Sequence, residues 1–280
     1  MGGGEAKAGG GNRALIEIRS CAGFDELEAC VQLQIETWGY DASDVIPRKA
    51  FKVAQSIGGQ VIGAFDTELA AGKGAAESLV GFAFSLPGMK TGEGEPKAYL
   101  HSHMLAVREA YRNRGLGTQL KLEQRREALE RGIRYMEWTF DPLEIKNAFL
   151  NIHRLGATVS SYRVDFYGVY SSRLQAGLPT DRLLAEWRLD SPRVQAILEN
   201  RPASKYVSEE GIQERILVPA EIYAWKASEA GRDRAQAVQS ENRRKFQEAF
   251  SRGLAVVAFV RDAEGNGVFE LGSPTRLELD

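Results

Sequence analysis

The sequence predicts an α/β (α+β) fold in which helices flank a central sheet, followed by a smaller C-terminal α+β extension. Four early stretches alternate in hydropathy, or run apolar between turn residues, as strands do: 13–20, 59–66, 78–88 and 98–107. Apolar residues recur at helical spacing over 24–38, and a second helix is expected over about 116–131. After Asp190 the pattern changes to a short helix, a strand, a long charged helix and a hairpin.

These observations divide the chain into three parts. We predict a flexible leader over residues 1–12, a main domain over 13–190 and the extension over 191–280. The leader, "MGGGEAKAGGGN", is rich in glycine and lacks the apolar core of a signal peptide. The extension either forms a small appendage or continues the main sheet, and it either covers a pocket or forms a dimer surface.

The elements of the main domain follow from periodicity and from glycines. In the first helix, five apolar residues lie three or four apart and predict its buried face: Phe24, Leu27, Val31, Ile35 and Trp38. A turn rich in glycine and alanine separates the second and third strands. Gly132 ends the second long helix, residues 133–140 form a strand, and a short helix ends at Gly156. Strands near 157–169 and 182–189 complete the unit.

The extension has equally clear signals. Ser191 is placed to cap a short helix whose first turn holds Pro192. A strand over 214–219 comes next, and then a charged helix over about 230–252. Residues 254–272 read as a hairpin that turns at "AEGNG".

Composition limits the partners. The net charge is −2, so nothing predicts a general attraction to nucleic acid or to an anionic membrane, and any positive site must be local. Apolar runs such as 254–260 are too short to span a bilayer. Cys21 and Cys30 lie in the first helical stretch and read as small buried hydrophobes rather than as a disulfide or a metal pair. We expect a cytoplasmic protein.

The segment "AYRNRGLGTQLK", residues 110–121, places arginines and glycines directly before a helix. The start of a helix leaves backbone N–H groups without partners and its dipole favours an anion, so the segment suits a phosphate. A Walker loop is excluded because no Gly-Lys-Ser/Thr follows, and a dinucleotide fingerprint fails because Leu120 stands where a small residue is required. What remains is Arg/Gln-x-x-Gly-x-Gly/Ala, which Arg112, Gly115 and Gly117 satisfy.

On these residues the chain resembles the GNAT superfamily of acyl-CoA-dependent N-acyltransferases over roughly residues 14–170. "WTFDPLEIKNAFLNIHRLGA" and "DFYG" add a resemblance to a branch that carries a C-terminal extension. The resemblance implies a mixed, mostly antiparallel sheet, with acetyl-CoA or another acyl-CoA as co-substrate and no metal. It implies that the loop cradles the pyrophosphate through Arg112, Asn113, Arg114, Gly115, Leu116, Gly117 and Thr118. The pantetheine would contact the backbone of Leu105, Ala106 and Val107, and also Asn147.

Acyl transfer from a thioester requires that the amine lose a proton, that the oxyanion be stabilised and that the thiolate leave. We expect direct attack by the amine, with a backbone N–H near residues 105–107 binding the oxyanion. His103 and His101 are the first candidates for the base, since they lie two apart on the strand and should share a face with Leu105 and Val107. Asp141, at the end of the next strand, is a competing base or amine-binding group, or a helix cap.

The general acid departs from the family pattern. Many members carry a tyrosine four residues before the glycine that ends the short helix, but here that position is Ile152. The flanking side chains of Asn151 and His153 could replace it, and so could Tyr162 or Tyr167. Alternatively, the thiolate leaves unassisted. The charged segment "KLEQRREALERG" reads mainly as a solvated helix face.

The leading hypothesis is an N-acyltransferase that acts on a small amine, and by family frequency it is an N-acetyltransferase. A homodimer is compatible with this hypothesis. Three alternatives stand beside it. The first is a non-catalytic module of the same fold that binds or senses acyl-CoA, and the missing tyrosine motivates it. The others are an N-succinyltransferase and a protein-lysine acyltransferase.

Overall fold

The computed structural model describes residues 15–91, 95–168, 177–201 and 211–274. The predicted leader, residues 1–12, lies outside them. The strands are β1 (Ile16–Ser20), β2 (Gln60–Asp66), β3 (Leu79–Lys90), β4 (Lys97–Val107), β5 (Tyr135–Phe140), β6 (Thr158–Arg163), β7 (Arg182–Arg188), β8 (Ile212–Val218), β9 (Ala255–Arg261) and β10 (Gly267–Gly272). The helices are α1 (Gly23–Trp38), α2 (Arg48–Ser56), α3 (Thr67–Lys73), α4 (Leu116–Glu130), α5 (Ile145–Ala148), α6 (Pro192–Leu198), α7 (Ile222–Lys226) and α8 (Glu229–Ser251). One π-helical segment, Phe149–Arg154, continues α5.

The strands form one ten-stranded sheet in the order β1-β2-β3-β4-β5-β7-β6-β9-β10-β8. The recorded neighbours pair antiparallel, except that β4 and β5 run parallel. The predicted mixed, mostly antiparallel sheet flanked by helices is therefore confirmed. No helix in the described ranges is both long and apolar enough to cross a membrane.

The C-terminal strands continue this sheet. Val159 in β6 pairs with Val256 in β9, and β10 and β8 follow outward. One hydrophobic cluster joins Leu183 of β7 to Phe246 of α8 and Phe269 of β10. Of the two arrangements that the sequence left open, the structure has the extended sheet, while the boundary at residue 190 stays a prediction.

Helices cover both faces of the central strands. Leu33 of α1 and Phe51 of α2 cluster with Met104 of β4, and we call this side the α1 face. Leu120 of α4 packs with Leu105 of β4 on the opposite side, the α4 face. The face to which a residue points therefore decides from which side its side chain can reach the space between the strands.

A β-bulge interrupts β4. Ser102 lies opposite Ser85 and Met104 lies opposite Phe84, so His103 is an extra residue without a partner in β3. An extra residue shifts the alternation of side chains. Ser102 and Leu105 consequently both lie on the α4 face, whereas His103 packs against Phe84 on the α1 face. The prediction that the two histidines share a face with Leu105 and Val107 is therefore wrong.

Two further predictions need correction. In α1, Phe24 and Ile35 are 54% and 43% exposed, whereas Leu27, Cys30 and Leu33 are buried. The predicted face counted only large apolar residues, but the helix turns its small Cys30 inward. The predicted turn before β3 contains α3, whose N-cap Asp66 accepts hydrogen bonds from the amides of the first turn.

Other elements match the prediction closely. Ser191 caps α6 by accepting a hydrogen bond from the Val194 amide, with Pro192 at the first position. The hairpin of β9 and β10 and the long helix α8 are present. Cys21 and Cys30 are both buried and free, with their sulfur atoms 3.8 Å apart, although Cys21 precedes α1 rather than lying in it.

Candidate functional site

A cleft opens where β4 and β5 separate. The two strands pair at Leu100–Met136 and at His101–Glu137, and no pair is recorded beyond these in the described chain. A cavity of about 430 Å³ fills the gap between the separating ends. Residues 102–105 of β4 and 138–141 at the end of β5 line its walls. Both strand ends therefore present backbone and side chains to one ligand-sized space.

The cavity is lined from both faces of the sheet. Leu105 and Lys121 reach it from the α4 face. His103 lines it from the α1 face, together with Trp38 at the end of α1 and Tyr40 just beyond. The rings of Trp38 and Tyr40 stack with their centroids 5.3 Å apart. Aromatic surface thus stands on one side of the gap and a buried amine on the other.

The loop between β4 and α4 leaves a row of amides without partners. In the part of the chain that the structure describes, the backbone N–H groups of residues 113–118 have no hydrogen-bond acceptor. Asn113 and Gly115 adopt positive φ values of 60° and 82°, which turn the chain into the helix. Arg112 steadies the loop, because its Nε donates to the Val107 carbonyl at 3.0 Å. Six successive unpartnered amides at a helix start suit an anion such as a diphosphate.

The amide row adjoins the cavity without lining it. Residues 112–118 are not among the residues that line the cavity, but a Cβ on Gly117 would lie 3.6 Å from both Leu105 and Leu150, which are. Asn147, an exposed residue of α5, also lines the cavity. The loop and the cleft therefore lie next to each other, and together they could hold an anion at one end and an extended arm in the gap.

His103 lies in the cavity and His101 does not line it. Burial, and to a lesser extent the charge of His101, lower the pKa of His103 from 6.5 to about 4. The ring of His101 lies beside β5, with Nδ1 3.6 Å from a Glu137 oxygen. Burial would raise the pKa of Glu137, but hydrogen bonds from His101 and Lys90 lower it to about 2. At neutral pH His103 is consequently an uncharged imidazole that can accept a proton.

The lowered pKa of His103 predicts acid-sensitive stability. The unfolded chain takes up this proton near pH 6.5 and the folded chain only near pH 4, so stability is full above pH 6.5 and falls as the pH drops. Glu137 changes the stability only below about pH 4.5, so the pH dependence between pH 6.5 and 4.5 reports on the histidines. We expect His103→Ala to remove about 2 kcal/mol of the stability lost across this window. Urea unfolding at pH 7 and pH 5 measures it.

His153 titrates in the same direction because burial lowers its pKa as well, so the comparison needs a second variant. His153→Ala is the matched control and should retain the part that belongs to His103. An equal pH dependence in the His103→Ala variant and the parent would contradict this assignment.

Asp141 is held by other groups. Its carboxylate accepts hydrogen bonds from the Leu143 amide at 2.8 Å and from Lys226 Nζ at 3.0 Å. Lys226 is buried and also contacts Glu144 at 3.0 Å. Burial alone would lower the pKa of Lys226, but the two carboxylates raise it. Asp141 lines the cavity, yet its geometry is that of a cap and an ion-pair partner rather than of a free base.

Asp141→Asn should lower the free energy of unfolding by about 1–3 kcal/mol, because it removes one of two carboxylates from a buried lysine while keeping the acceptor for the Leu143 amide. Denaturant unfolding measures the loss. Glu144→Gln, which leaves Lys226 with Asp141, is the control and should cost a similar amount. Unaltered stability in the Asn variant combined with lost turnover would instead make Asp141 the base.

The structure separates the candidates for the acid. Asn151 is buried and lines the cavity. Tyr167 also lines the cavity, and its hydroxyl forms a 2.9 Å hydrogen bond with the hydroxyl of Thr139. Ile152 is buried in the core. The remaining two side chains do not line the cavity: His153 stacks on Phe149, and Tyr162 donates to Asp181.

Lys121 is a cavity residue that sequence reasoning missed. It is 3% exposed, although the charged segment around it reads as a solvated face. Its Nζ donates to Ser102 Oγ at 2.7 Å and lies 3.6 Å from the centre of the Trp138 ring. Burial lowers the pKa of Lys121 well below its ordinary value. One signal was available in the sequence: Lys121 lies one helical turn beyond Gly117 and next to Leu120, which places it on the same helix face as the phosphate-loop glycine.

The solvated-face prediction is right for Arg126. This side chain is exposed and pairs with Glu123 and Glu130 along α4. Arg125 instead donates from Nε to the Leu189 carbonyl at 2.7 Å. In the described ranges, no group of three His, Cys, Asp or Glu side chains is arranged to hold a metal ion.

A mixed sheet with a cleft between two separating parallel strands, and a helix N-terminus beside it, defines an α/β domain with room for an elongated anionic ligand. Residues 31–150 match the model of the acetyltransferase (GNAT) family. Residues 31–150 are thus a GNAT acetyltransferase domain, as the motifs predicted. The comparison with curated proteins gives no match.

Three solved structures are similar to this chain over part of its length. Arabidopsis thaliana NAA60 in complex with acetyl-CoA is 16% identical, with 62% of this chain and 99% of that chain covered and a TM-score of 0.49. The ribosomal-protein-S18-alanine N-acetyltransferase from Escherichia coli is 15% identical, with coverage of 62% and 94% and a TM-score of 0.43. An N-acetyltransferase from Staphylococcus aureus Mu50 is 16% identical, with coverage of 63% and 99% and a TM-score of 0.44.

Proposed function

We propose that this protein transfers an acyl group, in the first instance acetyl, from a CoA thioester to the amine of a small molecule. The observation that carries the proposal is the row of unpartnered amides over 113–118 beside the cleft between β4 and β5. An anion at the loop and a narrow arm in the gap match a cofactor with a diphosphate at one place and a thioester at the end of a flexible chain.

The donor would run from the loop into the gap. Residues 112–118 would hold the pyrophosphate, with Asn147 near the arm. In the described chain, the edge of β4 at Leu105–Val107 has no pairing with β5, so its backbone groups can pair with the amides of the pantetheine as a neighbouring strand would. An arm that follows β4 inward ends where pairing begins, at His101 and Glu137. The thioester would then lie beside the bulge.

The acceptor would approach from the α1 face, where Trp38 and Tyr40 line the cavity with Asp44. Aromatic faces and a carboxylate are groups that recognise an amine. Once the amine nitrogen has bonded to the carbonyl carbon, it must lose a proton, and His103 would accept it. His103 is able to do so because its pKa of about 4 leaves the imidazole neutral at pH 7. Amides on the free edge of β4 would stabilise the oxyanion.

A donor-by-acceptor screen for released thiol tests the proposal. Acetyl-CoA, propionyl-CoA and succinyl-CoA are each mixed with panels of small amines, amino acids and lysine peptides, and binding of CoA is measured separately by calorimetry. Amine-dependent thiol release with a small amine is expected. Absence of CoA binding would overturn the proposal, and binding without transfer would establish a non-catalytic module instead.

A further inference from the structure

Lys121 is buried without the partner that a buried lysine normally has. Lysine is seldom buried unless it is paired with a charge, and in the described chain no carboxylate lies within 4 Å of its Nζ. Its recorded contacts are the Ser102 hydroxyl and the face of Trp138. An amine in this position is costly for folding, which suggests that the lysine is kept for another reason.

The hydrogen atoms around Lys121 can be assigned. The hydroxyl of Ser102 donates to Gln124 Oε1 at 2.9 Å, so its oxygen accepts from Lys121 at 2.7 Å. A protonated lysine has three N–H donors, and one is used here. Since Lys121 lines the cavity and its Nζ lies over the Trp138 ring, the other two N–H donors are next to the cavity and the ring. When it is protonated, the amine therefore has donors left for a ligand in the cavity.

Lys121 lies at the point of the cleft where, under the proposed function, the thioester would stand. Ser102, its hydrogen-bond partner, is the residue directly after the last recorded parallel pair of β4 with β5. Lys121 reaches this point from the α4 face, the side of the amide row, whereas His103 reaches the same cavity from the α1 face. The two titratable groups thus approach the gap from opposite sides.

We propose that Lys121 is a catalytic residue that protonates the sulfur of CoA as the thioester bond breaks. This role rests on the proposed function. The amine nitrogen bonds to the carbonyl carbon and gives its proton to His103. The carbon–sulfur bond then breaks, its electron pair goes to sulfur, and Lys121 supplies the proton that makes the free thiol. One proton has been gained and one given, and exchange between the two groups and water restores both.

Burial favours this role because an acid works best when its pKa approaches the working pH, and desolvation lowers the pKa of Lys121 in that direction. The other titratable or charged groups that line the cavity are these: Tyr40, Asp44, His103, Asp141, Glu144, Tyr167 and Arg182. None of them contributes to the shift in the pKa of Lys121, which comes from burial. The ammonium also stabilises the negative charge that forms on sulfur before the proton is transferred.

Lys121→Met tests the role, with Arg126→Met as the control on the exposed side of the same helix. Methionine keeps the length and removes the buried charge, so we expect the Lys121→Met variant to melt at the same temperature as the parent or higher. Its kcat should fall about 100-fold with an unchanged Kd for CoA. The parent's kcat should decline at alkaline pH as Lys121 loses its proton, and this decline should be absent in the variant. Lys121→Arg, which stays charged, should recover part of the rate.

Each outcome decides one point. Lower kcat, loss of the alkaline decline and preserved CoA affinity in Lys121→Met support the assignment. A kcat within about twofold of that of the Arg126→Met control, or an alkaline decline that persists, overturns it and leaves the proposed function intact. A parent protein that binds acetyl-CoA and transfers nothing overturns the proposed function, and the role of Lys121 with it.

Discussion

Gly117→Glu is expected to weaken the binding of CoA by about 100-fold or more while the protein stays folded. Gly117 is the second residue of α4 and belongs to the row of unpartnered amides. A carboxylate there places negative charge where the diphosphate would bind and opposes the helix dipole's preference for the ligand. Calorimetric titration with CoA, alongside a thermal melt, measures both effects.

Gly117→Ala is the matched control. A Cβ at this position would meet Leu105 and Leu150 at 3.6 Å, which is ordinary van der Waals contact, so the alanine variant should fold and bind nearly as the parent does. Equal CoA affinity in the glutamate variant and the parent would remove the loop from the binding site. A loss of the same size in the alanine variant would mean that bulk, not charge, is responsible.

His103→Ala should lower kcat by about 10²- to 10⁴-fold, the range for removal of a general base. The Kd for CoA should change little, because His103 lines the cavity from the α1 face and the amide row lies on the other side. Steady-state kinetics with the amine identified in the donor-by-acceptor screen, and titration with CoA, give the two numbers.

His153→Ala provides the comparison for this loss. That histidine stacks on Phe149 with ring centroids 4.4 Å apart and does not line the cavity, so its removal should affect turnover far less. Turnover that survives in the His103→Ala variant would show that the amine loses its proton without this side chain.

Much of the fold could be predicted from local signals. Alternation and caps located β4, the helix that begins at Leu116, and the cap at Ser191, because each depends on residues close together in the chain. The path of the C-terminal strands could not be predicted, since it depends on a pairing between Val159 and Val256, which are far apart in sequence.

The candidate site shows the same division. Arg112, Gly115 and Gly117 form a local pattern, and the structure has the open amides that the pattern predicted. The placement of His103 relative to Leu105 was wrong because a bulge arises from how β4 meets β3, not from β4 alone. Lys121 was overlooked because its burial comes from Ser102 and Trp138, which other strands supply.

The cavity that receives side chains from both faces of the sheet has a kinetic consequence. If the donor enters beside α4 and the acceptor beside Trp38, as proposed, neither substrate needs to leave before the other arrives. A ternary complex can therefore assemble, and initial-rate plots should intersect rather than run parallel. In the proposed reaction the acyl group would pass from one face of the sheet to the other, so the two products would leave on opposite sides.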